Sequence, residues 1–425
     1  MTLLVFVGSL LGAMAIGVPV AFSLMFCGVV LMWYMGMFNT QIIAQNMISG
    51  ADTFTLLAIP FFILAGELMN SGGLSRRIID FAIACVGHIR GGLGIVAIMA
   101  AIIMASISGS AAADTAALAA ILIPMMAKAG YNVPRSAGLI ASGGIIAPVI
   151  PPSMAFIVFG VAANVSITQL FMAGIVPGLL MGLSLVATWL FVVRKDNITP
   201  LPKTTAKQRL QATARAGWAL GMPVIILGGI KAGIMTPTEA AVVAAVYALF
   251  VGMVVYRELK PSELPHVLLR AAKSTSIIMF LVCAALVSAW LITAANIPNE
   301  VVGYIEPLID RPMLLMFAIM VLILIVGTAL DLTPTILILT PVLMPIIKQA
   351  GIDPVYFGVL FIMNTCIGLI TPPVGVVLNV VSGVGRVPLG RVTAGVLPFL
   401  LTQVAVLFLL VIFPDIVLVP LQYLR

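Results

Sequence analysis

The sequence predicts an all-α polytopic membrane protein that contains an inverted repeat, with two re-entrant helical hairpins and two broken helices. Of the 425 residues, 62% are hydrophobic and 8% are charged, and the mean hydropathy is +1.24. The water-facing surface of a soluble protein of this length needs many more charges. Long apolar runs leave room for roughly 11 spans of ~20 residues, and they lack the alternating pattern of a membrane β-barrel.

The second observation is a duplication marked by paired prolines. Pro151-Pro152 recurs as Pro372-Pro373, 221 residues later. The same offset relates other residues that favour helix ends: Pro124 with Pro345, Ala129-Gly130 with Ala350-Gly351, and Pro177 with Pro398. The duplicated feature is therefore interpreted as a pattern of helix interruptions. Paired interruptions in the two halves of a membrane protein indicate a transport site near the bilayer midplane.

The third observation is the distribution of basic residues. The polar stretches 194–216 and 257–273 are rich in lysine and arginine, so both are expected on the cytoplasmic side. The segment between them, 218–256, then forms a helical hairpin whose turn, near Lys231 to Thr236, faces the periplasm.

The two halves also differ in charge at equivalent positions. Residues 75–90 contain three arginines, whereas the matching residues 296–311 contain one basic residue, Arg311. Because basic loops stay in the cytoplasm, the matching segments are expected on opposite sides of the membrane. The repeat is therefore predicted to be inverted, as in secondary transporters that expose one site alternately to each side.

The first interruption in each half has the composition of a hairpin tip. Residues 106–115 combine small and hydroxylated side chains with one acid, Asp114, and the matching residues 327–335 contain Asp331. Unpaired backbone at membrane depth is tolerated only inside protein or beside water, so each tip is expected to face the site. An acid here supports a cation site, directly or through a neighbouring ligand, or it caps the hairpin helix. Both roles stay open for the two aspartates.

The second interruption is the double proline itself, within residues 143–153 and 364–373. Each proline lacks an N–H group and clashes with the preceding turn, so the helix breaks and leaves carbonyl oxygens without partners. Carbonyl and hydroxyl oxygens suit Na⁺, whereas a proton relay needs His, Asp or Glu side chains. The half-helix after each break presents its positive dipole end, which favours a carboxylate substrate. Kinks and close-packing points also use Gly and Pro, but they do not explain the common offset.

Several motifs in combination resemble the large membrane subunit of the tripartite ATP-independent periplasmic (TRAP) transporters, within the ion transporter superfamily. They cover nearly the whole chain: LLAIPFFILAGELMNSGGLSRR, SGSAAADTAAL, IAPVIPPSM, GIMTPTEAAVVAAVYAL and LITPPVGVVLNV. The resemblance implies a sodium-driven importer of organic acids in the bacterial inner membrane, without enzymatic activity and without a cofactor besides the coupling ion. It also implies an elevator mechanism, in which a transport domain moves against a scaffold.

The resemblance further implies two protein partners. A periplasmic binding protein delivers the substrate, and a small four-helix membrane subunit completes the complex. Because the chain starts directly with the large subunit, the small subunit is expected as a separate chain. The net charge is +7, and the basic residues lie in short loops. This arrangement favours contact with anionic membrane lipid and not with nucleic acid.

Family sodium sites lie at the hairpin tips and the adjoining helix breaks, and the resemblance places them on this sequence. They fall on Ser106, Ser108, Gly109, Gly144 and Ala147 in the first half, and on Gly327, Thr328, Thr365, Gly368 and Thr371 in the second. Ser153, Asn364 and Pro373 are expected to line the substrate pocket between the tips.

The expected organisation follows from the two repeats. Its parts are N-terminal scaffold helices at 1–70, transport repeat 1 at 71–193, a basic cytoplasmic segment with scaffold helices at 194–295, transport repeat 2 at 296–400, and a C-terminal helix at 401–425.

Other functions share some of these features. A partner-independent sodium- or proton-coupled carboxylate transporter of the same superfamily would keep the repeat and the prolines, so it remains the alternative. An intramembrane aspartyl protease is disfavoured because no GxGD motif surrounds either aspartate, and a passive channel would not need sodium for accumulation. The four cysteines and two histidines lack ligand spacing, so neither a disulfide nor a transition-metal site is expected. The compound stays open among dicarboxylates, sialic acid and keto or sugar acids.

Overall fold

The computed structural model describes residues 1–196 and 198–424, whose regular secondary structure is helical. The N-terminal helices are α1 Thr2–Ala15, α2 Val20–Tyr34, α3 Thr40–Ala51 and α4 Ala58–Ser71. Repeat 1 contains α5 Leu74–Val86, α6 Gly92–Ser108, α7 Ala111–Lys128, α8 Val133–Gly144, α9 Met154–Ala163 and α10 Ile167–Val192. The middle helices are α11 Ala206–Lys231, α12 Pro237–Phe250 and α13 Leu264–Ala294.

Repeat 2 has the same order of helices. It contains α14 Ile297–Ile309, α15 Pro312–Gly327, α16 Leu332–Gln349, α17 Pro354–Gly368, α18 Val376–Gly385 and α19 Leu389–Ile412, and α20 Asp415–Leu424 follows. Helices α7 and α16 are both 18 residues long, and α16 begins and ends 221 residues after α7. The duplication in the sequence is thus reproduced in the helices. Residue 401, where a C-terminal helix was expected to begin, lies inside α19.

Eight helices in the described ranges are long and apolar enough to cross a membrane. The sequence had suggested roughly 11 spans of ~20 residues. The number of long apolar helices is lower than expected because several apolar runs fold as two shorter helices. The first run, for example, folds as α1 and α2, which are 14 and 15 residues long.

Single prolines do not interrupt the helices of the repeats. Pro124 lies within α7, Pro345 within α16, Pro177 within α10 and Pro398 within α19. The interpretation of these prolines as interruptions was therefore wrong. One proline removes one N–H group, and packed membrane helices tolerate that loss because neighbouring groups satisfy the freed carbonyl. The chain leaves the helix at the double prolines, in break 1 (residues 145–153) and break 2 (residues 369–375).

Two helical hairpins lie before the breaks. Hairpin 1 consists of α6 and α7, and both of its ends approach the end of α10. The Gly91 carbonyl accepts a hydrogen bond from Trp189 Nε1 at 2.8 Å, and the Ala129 carbonyl accepts one from Thr199 N at 3.1 Å. Hairpin 2 consists of α15 and α16, and its two ends meet the end of α19 around one cavity. The open end of each hairpin therefore lies at the end of the last helix of its repeat, and the tip points away from it.

The last helices of the repeats, α10 and α19, pack against each other in opposite directions. Gln403 Nε2 donates to the Met181 carbonyl at 3.1 Å, and the rings of Trp189 and Phe399 lie 6.3 Å apart. Residue numbers rise along α10 as they fall along α19, so the two helices are antiparallel. Other contacts are reciprocal, since α7 packs on α18 and its counterpart α16 packs on α9.

The remaining helices surround the repeats. Helices α12 and α13 both pack on α4, and α13 also packs on α2 and α3. Arg270 of α13 pairs with Glu67 of α4, with Nε and Oε2 2.8 Å apart. The expected turn between Lys231 and Thr236 is confirmed, and Thr236 and Glu239 form a capping box at the start of α12.

Candidate functional site

A cavity of about 470 Å³ lies where both hairpin tips and both breaks meet. Residues 109–112 of hairpin 1 and 331–334 of hairpin 2 line it, together with Pro148 from break 1 and Leu369 from break 2. Residues of α2 and α13 form another wall. The volume is in the range of small-molecule sites. We call this space the central cavity.

Besides the N-terminus of α2 at Val20, four helix N-termini from the two repeats converge on the central cavity. The first residues of α7, α9, α16 and α18 all line it: Ala111, Met154, Leu332 and Val376. Each N-terminus carries a partial positive charge and backbone N–H groups without intrahelical partners. No basic side chain is found among the described lining residues, and Asp331 is the charged residue there. An anion in this cavity would therefore be attracted by backbone groups and not by basic side chains.

Break 1 is held by a side chain. Prolines at 151 and 152 lack the N–H groups that would bond to the carbonyls of Ala147 and Pro148 in a continuous helix. The Pro148 carbonyl instead accepts a hydrogen bond from Ser153 Oγ at 2.5 Å. Ser153 is fully buried, caps α9, and lies outside the lining of the central cavity. Ala147 is buried within the break.

Break 2 is held by the backbone. Prolines at 372 and 373 remove the N–H groups that would bond to Gly368 and Leu369. The Leu369 carbonyl accepts from Val377 N at 3.1 Å, and the Gly368 carbonyl accepts from Thr371 N at 2.9 Å. The Thr371 hydroxyl donates to the Ile367 carbonyl at 2.8 Å. Both Pro-Pro peptide bonds are cis.

The tip of hairpin 1 contains a buried acid. Ser108 Oγ donates to Asp114 Oδ1 at 2.5 Å, and Ser110 N donates back to Ser108 Oγ at 3.2 Å. Gly109 turns the chain with φ +59°, a conformation that favours glycine. Asp114 is 1% exposed, and its Oδ2 has no hydrogen-bond partner in the described part of the chain. Ser106, one turn earlier, donates to the Ile103 carbonyl at 2.7 Å.

Thr115 connects hairpin 1 to the end of α8. Its Oγ1 is buried and also has no partner among the residues that the structure describes. A side chain on Gly144 would overlap this hydroxyl, so Thr115 lies directly against the residue where α8 ends. Sequence reasoning did not select Thr115 as a ligand, although it follows Asp114. Two further unpaired hydroxyls, on Ser142 and Thr340, were also missed because single Ser and Thr residues carry no motif.

The tip of hairpin 2 has a different construction. Gly327 and Gly368 touch through their backbones, since a Cβ atom on Gly368 would lie 2.6 Å from Gly327 C and O. Thr328 donates to the Ile325 carbonyl at 2.8 Å. Asp331 is exposed and caps α16, with its Oδ1 accepting from Leu332 N at 2.8 Å.

The other expected residues of repeat 2 lie around α17. Asn364 is fully buried, and its Nδ2 donates to the Met320 carbonyl at 2.6 Å while its Oδ1 has no partner in the described ranges. Thr365 Oγ1 donates to the Phe361 carbonyl at 2.7 Å. Asn364 and the exposed Pro373 lie outside the described lining of the central cavity, as Ser153 does. The structure thus places Gly109 against break 1 and Gly327 against Thr365 and Gly368. The three expected substrate residues lie outside the described lining of the central cavity.

The described residues contain no cluster of three or more His, Cys, Asp or Glu side chains that could hold a metal ion. Ion binding in this region would therefore depend on hydroxyl, carbonyl and single carboxylate oxygens.

Comparisons with known proteins agree with this architecture. Residues 7–416 match the model of the family described as "Tripartite ATP-independent periplasmic transporter, DctM component". Over the full length of both chains, the protein is 56% identical to the 2,3-diketo-L-gulonate TRAP transporter large permease protein YiaN of Escherichia coli (strain K12). It is 40% identical to the sialic acid TRAP transporter large permease protein SiaM of Vibrio cholerae, over 95% of each chain.

A solved structure extends the comparison to the fold. The crystal structure of the YdaH transporter of Alcanivorax borkumensis aligns with a TM-score of 0.62 and 15% identity, covering 87% of this chain and 86% of that chain. The resemblance seen in the motifs is confirmed by the family match. The chain belongs to the DctM family of TRAP transporter large permeases, which are multi-pass proteins of the bacterial inner membrane and not enzymes.

Proposed function

We propose that the protein is the permease of a sodium-driven importer and that an organic acid binds in the central cavity. The observation that carries this proposal is the convergence of four helix N-termini on a cavity without a basic lining residue in the described chain. Helix N-termini bind carboxylates through N–H groups and dipoles. The carboxylate of Asp331 in the same wall opposes an anion, so a cation is needed for tight binding.

Sodium is the cation that the surrounding oxygens favour. At hairpin 1, Asp114 Oδ2 and Thr115 Oγ1 on consecutive residues are buried and unpaired in the described chain, where an unsatisfied polar atom is costly, and Thr115 lies against Gly144. A monovalent cation held by these oxygens, with Ser108 and nearby carbonyls, removes that cost. The proposed first site thus keeps the expected Ser106, Ser108, Gly109, Gly144 and Ala147 and adds Asp114 and Thr115.

The proposed second site lies between Gly327, Thr328, Thr365, Gly368 and Thr371. The three threonine hydroxyls donate to carbonyls on their own helices, at 2.7 to 2.8 Å. A hydroxyl that donates its proton retains lone pairs on oxygen, and these can bind Na⁺. Hydroxyl and carbonyl ligands without an acid suit a monovalent ion.

Coupling follows from the contacts between tips and breaks. A cation bound between a tip and its break fixes both against each other, and both border the central cavity. Sodium and the organic acid therefore increase each other's affinity through a binding linkage, which is reciprocal.

The proposed transport cycle uses two inverted repeats. The antiparallel packing of α10 and α19 supports inversion, because a parallel repeat would set equivalent helices in the same direction. Both ends of hairpin 1 lie near the end of α10, and both ends of hairpin 2 lie near the end of α19, which supports re-entry from opposite sides. We assign α6 to α10 and α15 to α19 to a transport domain that moves as an elevator against the other helices.

Two partners belong to the proposal. The description of the family as one component of a tripartite periplasmic transporter supports two further components. We take these to be a small four-helix membrane subunit and a periplasmic binding protein. The most economical substrate hypothesis is a keto sugar acid, because a relative 56% identical over the full length is named for 2,3-diketo-L-gulonate. Sialic acid and dicarboxylates are the next compounds to test.

The test is uptake by proteoliposomes that contain the permease and its small subunit. We expect labelled 2,3-diketo-L-gulonate to accumulate with an inward sodium gradient and a loaded binding protein, but not with a potassium gradient. Accumulation of the free acid without the binding protein would instead support the partner-independent alternative. Equal accumulation in both gradients would remove sodium from the mechanism.

A further inference from the structure

A second cavity, remote from the hairpin tips, lies at the end of α10. It has a volume of about 600 Å³ and is lined by Arg90, Leu190, Phe191, Val193 and Arg194. We call it the Arg90–Arg194 pocket. The proposed transport mechanism uses none of its side chains.

The pocket has positive charge that no carboxylate in the described part of the chain pairs with. Arg90 Nη2 donates to the Arg194 and Asp196 carbonyls at 2.9 and 3.4 Å, so it contacts backbone. The Asp196 carboxylate is already paired with Arg135 at 3.0 Å. Neither Arg90 nor Arg194 forms an ion pair within residues 1–196 and 198–424, and both are exposed.

The same pocket has an apolar wall at the membrane boundary. Helix α10 is one of the candidate spans, and it ends at Val192, directly before Arg194. Leu190 is 40% exposed and Phe191 is 73% exposed, beside the two arginines. A soluble anion would use the charges and leave this wall unused. A phospholipid uses both parts, since its headgroup meets cations while its acyl chains cover apolar surface.

We propose that the Arg90–Arg194 pocket binds the phosphodiester headgroup of an anionic phospholipid, whose acyl chain lies along Phe191 and Leu190. Guanidinium groups match phosphate oxygens through paired hydrogen bonds, and basic pockets beside membrane helices select anionic headgroups. Because Arg90 contacts the backbone after α10, an occupied pocket also fixes the start of hairpin 1 to this segment. The proposal does not depend on which acid is transported.

The experiment compares lipid binding to the purified full-length permease by native mass spectrometry. Phosphatidylglycerol and phosphatidylcholine are titrated separately, with inorganic phosphate as a competitor. The test variant is Arg90→Gln/Arg194→Gln, and the matched control is Arg76→Gln/Arg391→Gln, which removes two exposed arginines elsewhere. A third variant, Arg90→Lys/Arg194→Lys, keeps the charge.

We expect the wild type and the control to prefer phosphatidylglycerol. The test variant should bind it roughly 30-fold more weakly, because each arginine beside an anionic headgroup contributes about 1 kcal/mol and two are removed. The lysine variant should retain most of the preference. Equal affinity of test variant and control overturns the proposal, and so does displacement of the lipid by millimolar inorganic phosphate. If the glutamine variant does not fold, a wild type that binds the two lipids equally also overturns it.

Discussion

Repeat 1 and repeat 2 hold a hairpin tip against a helix break with different chemistry. In repeat 1 the buried hydroxyl of Thr115, unpaired in the described chain, lies against Gly144 at the end of α8. The neighbouring carboxylate of Asp114 is buried within the tip, where its Oδ1 accepts from Ser108 and its Oδ2 is unpaired in the described chain. In repeat 2 the contact is made by the backbones of Gly327 and Gly368. The two proposed sodium sites, built on one duplicated pattern of breaks, would therefore differ in charge. We expect the first to depend on its acid and the second on close packing.

The largest expected effect comes from Asp114→Asn in hairpin 1. The substitution removes the negative charge while the Ser108 hydroxyl can still donate to the amide oxygen, so the hairpin should fold. A buried cation that loses its carboxylate partner is destabilised by about 3 kcal/mol or more. We therefore expect the sodium concentration for half-maximal uptake to rise roughly 100-fold.

Sodium titration of uptake in proteoliposomes measures this shift. The matched variant for repeat 2 is Asp331→Asn, which should change the titration far less. A titration curve for Asp114→Asn that overlays the wild-type curve would show that the difference between the repeats is not electrostatic.

The second prediction compares Gly368→Ala with Gly144→Ala. A methyl group on Gly368 overlaps the Gly327 backbone at 2.6 Å, which cannot rotate away, whereas one on Gly144 overlaps mainly the Thr115 hydroxyl and lies 3.1 Å from the Ala111 carbonyl. Overpacking of this kind costs about 1–3 kcal/mol. Gly368→Ala should therefore lower thermal stability in detergent more than Gly144→Ala does, while Gly144→Ala should mainly weaken sodium dependence because Thr115 must change rotamer. Equal melting temperatures for the two variants would contradict the assignment of backbone packing to repeat 2.

The third prediction concerns the bonds that replace those lost at the double prolines. Ser153→Ala removes the donor to the Pro148 carbonyl and leaves a buried acceptor unpaired, which costs about 1–3 kcal/mol. The equivalent position in repeat 2 is Val374, 221 residues later, and there the Leu369 carbonyl is served by a backbone N–H group. Val374→Ala is therefore the control, with an expected change within about 0.5 kcal/mol. Thermal unfolding of both variants measures the difference, and a larger loss for Val374→Ala would reverse the comparison.

The sequence was sufficient to locate the breaks and hairpin tips. Consecutive prolines remove two N–H groups at once, and the chain leaves the helix around both pairs, at residues 145–153 and 369–375. The expected bounds, 143–153 and 364–373, began too early, because residues 143–144 and 364–368 still belong to α8 and α17. Pro124 and Pro345 have the same spacing but lie inside helices, because one missing bond can be absorbed by neighbours. In this chain, two consecutive prolines predicted a helix break correctly, whereas a single proline did not.

Side-chain direction could not be obtained from the sequence. Ser153 and Asn364 flank the breaks, and a polar residue there is equally compatible with lining a cavity or with satisfying a freed carbonyl. In the structure both side chains donate to buried carbonyls, of Pro148 and Met320, and neither side chain lines the central cavity. Which carbonyl lacks a partner depends on how the chain turns after the prolines, and that is decided by packing between distant helices.

The two aspartates were open between an ion site and a helix cap, and the structure separates them. Asp331 caps α16 and is exposed, so its carboxylate is solvated and screened.

Asp331→Asn keeps the cap, since asparagine is as good an N-cap residue, and removes only the charge beside the central cavity. An exposed charge contributes about 0.2–1 kcal/mol. We expect the sodium concentration for half-maximal uptake to rise at most about fivefold, with unchanged thermal stability. Asp331→Ala should in addition lose about 1 kcal/mol of stability because the cap is lost. If Asp331→Asn instead shifts the sodium titration as far as Asp114→Asn does, the exposed acid is a direct ligand and the two repeats are electrostatically equivalent.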